Sequence, residues 1–371
     1  MPRSTRRQFL AQTAATASLA ALPLRALAQP AATDTLKAAA ASRGLLVGCC
    51  VHARGLRNDP DYAALVKQQM SILVAENEFK FGPLHPQPTT FFFDDADTII
   101  NFAEQNNMKM RGHNFVWHRA LPPWFATYVT PANAEQVLVN HIETVAGRYK
   151  FRIHSWDVVN EAIQISDNLP NGMRNSPWQK VLPNYIDIAF RTARRVDPHA
   201  LLTYNDYDIE GEDEASSAKR AAVLALVRGM QQRGVPIDAI GIQSHLSASP
   251  TPNPKYTYGP KLEQFQKDVQ SLGLKMMLTE MDVNDRYLPA DIPTRDAAVA
   301  DVYTSYLRTA LANPAVIALL TWGITDKYTW LNHEGSRKDG QPERCLPFDA
   351  DLKPKPAFSS EYIALRAAAR R

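Results

Sequence analysis

The sequence runs to 371 residues, 45% hydrophobic and 21% charged, enough to bury a large core and without the bias that marks disordered or collagen-like chains. Its 41 basic and 38 acidic side chains leave a formal charge of +3, much of the excess near the N-terminus, so no nucleic-acid partner is expected. Beyond that terminus no stretch reaches the roughly 18 apolar residues that a membrane span needs.

In chain order, residues 1–28 read as an export signal. Arg3, Arg6 and Arg7 precede an apolar stretch from Ala14 to Leu24, and Ala26-Leu27-Ala28 supplies a small-residue cleavage site. Arg6-Arg7 followed by Gln8-Phe9-Leu10 resembles a twin-arginine signal, the route for proteins that are already folded; an ordinary secretory signal with a chance arginine pair is the alternative. Either sends a mature chain starting near Gln29 to the periplasm or out of the cell, with 29–371 as one domain.

Eight β-rich runs then alternate with helical patterns: Leu45 to Val51, Ser71 to Ala75, Lys109 to Val116, His154 to Asn160, Leu201 to Asn205, Ala239 to Ser244, Lys275 to Glu280 and Val316 to Trp322. Val223, Leu224, Leu226, Val227 and Met230 show the helical spacing between them, and a last helix is expected from about Phe358 to Ala369. A doubly wound sheet would carry a Gly-rich phosphate turn after its first strand, and none follows Val51. The expected class is therefore α/β, a single (βα)8 TIM barrel. Ser247 to Pro260, with four prolines, reads as a loop too short to separate domains.

Three cysteines do not make a disulfide framework. Adjacent Cys49 and Cys50 cannot bridge each other without strain; Cys345 pairing with one of them and three buried thiols both remain open. Glu210 to Glu214 suits a helix start better than a metal loop, and no metal or cofactor is expected. Phe91-Phe92-Phe93 reads as packing at a helix entry, and Arg111 inside a strand needs a buried carboxylate partner.

In such a barrel the chemistry gathers at the C-terminal strand ends. Those ends carry Glu76-Asn77, His113 with Trp117-His118, Asn160-Glu161, Asn205-Asp206, Gln243 with His245, Glu280 with Asp282, and Trp322. Glutamates closing strands four and seven face each other across the mouth. A pair about 5 to 5.5 Å apart suits a retaining glycosidase, one protonating the leaving oxygen and the other attacking the anomeric carbon.

Seven motifs, in order, resemble glycoside hydrolase family 10, whose members are chiefly endo-β-1,4-xylanases. They are Glu76-Asn77-Glu78-Phe79-Lys80, Arg111-Gly112-His113-Asn114-Phe115-Val116-Trp117-His118, Trp156-Asp157-Val158-Val159-Asn160-Glu161-Ala162, Tyr204-Asn205-Asp206-Tyr207, Gly241-Ile242-Gln243-Ser244-His245, Thr279-Glu280-Met281-Asp282, and Thr321-Trp322-Gly323-Ile324-Thr325-Asp326 with Trp330. The resemblance spans about Leu36 to Leu365. It implies Glu161 as acid/base, Glu280 as nucleophile, and Asn160 on the 2-hydroxyl of the cleaved sugar. It further implies that His245, oriented by Asp282, holds Glu280. Glu76, Asn77 and Lys80 would contact the second sugar on the non-reducing side; His113, Trp117, Gln243, Trp322 and Trp330 would line the subsite of the cleaved sugar. Tyr207 would stack on the leaving-group side. His118 is expected only to support them, and His154 to be structural.

One departure stands out: the family's glutamine two residues after Trp117-His118 is Ala120 here, which removes a contact to the second sugar worth on the order of 1 kcal/mol. The implied partner is xylan or a xylo-oligosaccharide, bound by a monomer. Two other readings stand beside it. The same barrel would serve a β-1,4-glucan if room exists for the hydroxymethyl carbon, which Lys80 and Trp330 are expected to crowd. A catalytically dead polysaccharide-binding barrel would have no need of the full set of Glu161, Glu280, Asn160, His245 and Asp282.

Overall fold

Runs such as Leu46–Val51 and Ile72–Ala75 are apolar or small at every position and buried along nearly their whole length, as strands covered on both faces must be. The computed structural model describes residues 34–334 and 337–371; the export leader expected at residues 1–28 lies outside them. Its strands are β1 Leu46–Val51, β2 Ile72–Ala75, β3 Lys109–Val116, β4 Ser155–Asn160, β5 Leu201–Asp206, β6 Ala239–Ile242, β7 His245–Ser247, β8 Lys275–Asn284 and β9 Val316–Thr321.

All pairs are parallel. The ladder passes from β1 through β2, β3, β4 and β5 to β6, then to β8 and β9, and β9 returns to β1, so the sheet closes into a barrel with no open edge. Helices such as Ala134–Arg148, Tyr185–Val196, Glu214–Gln232 and Ile292–Ala310 lie between successive strands, and the last spans Pro356–Ala367. This is the expected (βα)8 barrel.

The sixth barrel strand differs from the expected Ala239 to Ser244. It stops at Ile242 and resumes as β7, alongside the far half of β8. The break falls at Ser244, whose φ of +66° cannot continue a strand; its N–H donates to Glu210 at 2.8 Å and its hydroxyl meets the Tyr306 hydroxyl at 2.6 Å.

Alternate side chains of the strands divide between two cores. Cys50, Ile72, Val74, Ala239, Met277, Ala318 and Leu320 fill the barrel interior, while their neighbours Cys49, Leu73, Ile240, Leu278 and Leu319 pack outward with the helices. Arg111 is fully buried and pairs with the equally buried Asp157, the partner its position demanded. Asp213 caps the helix that starts at Glu214, and Phe91 and Phe93 pack on the core with Phe92 outside. Cys49, Cys50 and Cys345 are all buried and free, so the bridge left open for Cys345 is not formed. Among the described residues no helix is long and apolar enough to cross a membrane.

His141, in the helix Ala134–Arg148, is fully buried in the outer core, its ring stacked 3.9 Å from that of Phe81 and 5.6 Å from that of His85. Neither ring nitrogen has a hydrogen-bond partner among the described residues. Burial, and then the neighbouring His85, hold His141 well below the ordinary 6.5. A neutral buried histidine gives stability that is complete above 6.5 and lost as the pH falls below it, at up to about 1.4 kcal/mol per pH unit. His141→Phe, which keeps the stack and removes the titration, is expected to raise Tm more at pH 5 than at pH 8. Equal shifts in thermal melts at the two pH values would refute this.

Candidate active site

The barrel delivers polar side chains to one mouth because most strands either end in a polar residue, as β4 and β5 do at Asn160 and Asp206, or are followed at once by one, as β2 and β6 are by Glu76 and Gln243. β4 ends on Asn160, and Glu161 follows with φ +58°, a left-handed conformation that costs a non-glycine residue on the order of 1 to 3 kcal/mol. Its N–H donates to the Asn205 carbonyl at 2.9 Å and its carbonyl accepts from Arg174 Nε at 2.7 Å, so both flanking peptides are fixed. Glu280, inside β8, needs no such turn.

A chain of amides joins the two carboxylates. Gln243 Nε2 donates to Glu161 Oε1 at 2.9 Å and to Asn160 Oδ1 at 3.2 Å; Asn160 Nδ2 lies 3.3 Å from the same Glu161 oxygen. Asn205 Nδ2 donates both to Asn160 Oδ1 at 2.9 Å and to Glu280 Oε1 at 2.7 Å. Thr279 fixes the Asn205 amide by donating to its Oδ1 at 2.7 Å. Gly241 makes room: a Cβ there would stand 2.1 Å from Asn205 Oδ1.

The second Glu280 oxygen faces His245 Nε2 at 3.3 Å, and His245 Nδ1 lies 3.0 Å from Asp282 Oδ1. Asp282 also accepts the Trp330 indole N–H at 2.7 Å. Below, His113 Nδ1 stands 2.9 Å from Asp157 Oδ2 and 3.9 Å from Glu280 Oε1. Arg111, Asp157 and His113 thus form a column inside the barrel that rises to Glu280. Burial pushes the Glu280 carboxyl up, but His113, His245 and the Asn205 amide together outweigh it and hold the group down from 4.5 to about 2. Burial opposes a charge on His245, yet Asp282 and Glu280 raise it well above the ordinary 6.5.

The carboxylates lie in a cleft of about 900 Å³. Every substrate-binding residue expected from the sequence lines it: Glu76, Asn77, Lys80, His113, Trp117, Asn160, Tyr207, Gln243, His245, Trp322 and Trp330. Lys80 Nζ donates to Asn77 Oδ1 at 2.8 Å and lies 5.0 Å from the Trp117 ring. Burial raises the Glu76 carboxyl against the pull of Lys80. Asp282 stands behind this wall, with 1% of its side chain exposed. Among the described residues no group of three or more His, Cys, Asp or Glu is arranged to hold a metal.

The sequence pattern described as Glycosyl hydrolase family 10 matches residues 35–363. The chain belongs to that family. Family 10 is a retaining family with two catalytic glutamates. The chain is 31% identical to endo-1,4-beta-xylanase B of Paenibacillus barcinonensis, over 84% of this chain and 93% of that one. It is 35% identical to a thermostable celloxylanase of Thermoclostridium stercorarium, over 80% and 79%. Xylanase 10B from Thermotoga petrophila, solved with xylobiose, superposes with a TM-score of 0.81 at 32% identity, covering 91% of this chain and 99% of that one.

Several residues of this family 10 cleft carried only a weak sequence signal. Asn205 is marked by the sequence only as a polar residue at a strand end, because its tie to both carboxylates needs the barrel closed. His118 was expected in support only, yet it lines the cleft with Nδ1 3.6 Å from Glu161 Oε2. Burial, followed by the charges of Arg174 and Arg119, lowers it to about 4, so it is neutral beside that carboxyl. Arg174, on an irregular loop, carries no such signal. Ala120, exposed and left-handed at φ +52°, is not among the cleft-lining residues.

Gly241→Ala is expected to displace the Asn205 amide and lower stability by about 1 to 3 kcal/mol, as overpacking of a tight core does. Denaturant unfolding checks this; an unchanged midpoint would mean that the site has slack.

Proposed function

We propose that this family 10 chain is an endo-1,4-β-xylanase in which Glu161 is the acid/base and Glu280 the nucleophile. The observation that carries this reading is the setting of the two carboxyls: the Asn205 amide, His245 and His113 gather around Glu280, while the neutral amides of Gln243 and Asn160 reach Glu161. Glu280 attacks the anomeric carbon, the bond from that carbon to the leaving oxygen breaks, and the proton of Glu161 passes to that oxygen. The covalent glycosyl-enzyme is then opened by water, whose proton goes to Glu161 as its oxygen bonds the same carbon and Glu280 departs as carboxylate. Asn160, steered by Gln243 and Asn205, is set to hold the 2-hydroxyl, a contact that strengthens as positive charge develops on the ring.

The walls divide in the same reading. Glu76, Asn77 and Lys80 hold the second glycone sugar, and His113, Trp117, Gln243, Trp322 and Trp330 enclose the sugar being cleaved. Tyr207 forms the platform on the leaving-group side. Flat indoles bury the C–H faces of a pyranose and leave its hydroxyls to side chains. Xylan and xylo-oligosaccharides are the proposed substrates, taken by a monomer after export through the leader at residues 1–28 to the periplasm or beyond. Because one relative is named a celloxylanase, weak activity on β-1,4-glucan is included; a hydroxymethyl-sized difference discriminates by only about 1 to 3 kcal/mol.

On xylan the wild type is expected to release oligosaccharides with initial β-anomers. Glu161→Ala and Glu280→Ala should abolish this, and carboxymethylcellulose should be cleaved slowly at most. Initial α-anomers would overturn the mechanism; activity on carboxymethylcellulose alone would overturn the substrate. The acid limb of kcat/KM should lie below pH 4.5 in the wild type, because Glu280 keeps its charge down to about 2. Asn205→Ala removes a donor to that charge, so its acid limb should move upward. A limb that stays put would deny Asn205 this role.

A further inference from the structure

Arg174 lies on the loop between β4 and the helix Pro177–Val181. Its Nε donates to the carbonyl oxygen of Glu161 at 2.7 Å, and its Nη2 donates to the Tyr207 hydroxyl at 2.9 Å and to Gln164 Oε1 at 3.2 Å. The Tyr207 hydroxyl donates in turn to Gln164 Oε1 at 3.0 Å, which closes a triangle. The backbone N–H of Arg174 donates to Ala162 O at 2.7 Å, so the loop is laid down beside the residues that follow Glu161. Behind Tyr207, Lys219 Nζ stands 3.5 Å from the ring centroid and 2.7 Å from the buried Asp206 carboxylate, which leaves the platform little freedom.

One guanidinium therefore holds both the backbone of Glu161 and the platform where the leaving sugar would rest. Glu161 needs such a hold because its left-handed φ of +58° is not one that its own side chain favours. If its carbonyl were released, the peptide would relax toward the common regions and swing the carboxyl away from Gln243 and Asn160. Proton transfer tolerates little of this, since the carboxyl oxygen must come within about 2.6 to 3.2 Å of the leaving oxygen.

We propose that Arg174 is a positioning residue that aims Glu161 for proton donation and keeps its aim in register with the Tyr207 platform; this rests on the reading of Glu161 as the general acid. The affected step is cleavage of the bond between the anomeric carbon and the leaving oxygen, with the proton moving from Glu161 to that oxygen as Glu280 bonds the carbon. A leaving group that departs as a stable anion needs no proton, and so should be insensitive to Arg174.

The test compares kcat/KM, which reports the glycosylation half alone, for phenyl and 2,4-dinitrophenyl β-xylobiosides in the wild type, Arg174→Met, Arg174→Lys and Glu161→Ala. Arg174→Met is expected to lose about 10- to 100-fold on the phenyl substrate and less than about threefold on the dinitrophenyl one, the pattern of a misplaced acid. Arg174→Lys, which restores one donor toward the Glu161 carbonyl, should fall between Arg174→Met and wild type. Equal losses on both substrates in both Arg174 variants, as unfolding or lost binding would give, would overturn the proposal, as would no loss on either. Glu161→Ala should show the same discrimination more strongly. If it shows none, both the acid assignment and the role of Arg174 fall; if it alone shows it, only Arg174 does.

Discussion

A carboxylate buried at the floor of a barrel mouth loses much of its water and would ordinarily take up a proton. Much of this structure answers that constraint at Glu280. Asn205 reaches one oxygen, His245 faces the other, and His113 stands beneath. Each of these is itself held: Asn205 by Thr279 over a glycine that leaves it space, His245 by Asp282, and His113 by Asp157 on Arg111. The charged column is costly in a barrel interior that could be filled with apolar groups, and an Arg–Asp pair with neither side chain exposed is weak evidence for stability. Its position under Glu280 gives it a purpose other than stability.

The second carboxyl is managed by backbone instead of charge. Glu161 sits on a strained turn, fastened through its two flanking peptides and touched by neutral amides and a neutral imidazole. One glutamate is thus fixed in its ionisation and the other in its direction. Gln243 and Asn160 link them, so a displacement at one is felt at the other.

Much of this was legible in the sequence, for identifiable reasons. Strands buried on both faces leave continuous apolar runs, and polar residues closing those runs must sit at the mouth; Glu161, Glu280, His245 and Asp282 were visible that way. Features that depend on three-dimensional closure were not. The dual role of Asn205 requires β4, β5 and β8 to converge. The interruption at Ser244 is a backbone conformation with no pattern of side chains to announce it. Arg174 lies on an irregular loop, where neither periodicity nor strand-end position singles a residue out.

The three cysteines carry a different consequence. Cys49 and Cys50 sit within β1, one facing each core, and Cys345 lies in a small cluster with Leu331 and Leu346, where its thiol meets the Thr329 hydroxyl at 3.2 Å. Burial raises all three thiols, so the reactive thiolate is scarce as well as hidden. Barrel closure and core packing, not a covalent cross-link, hold the described domain together. The native state of such a domain contains no disulfide, so a reducing agent has no cross-link in it to remove.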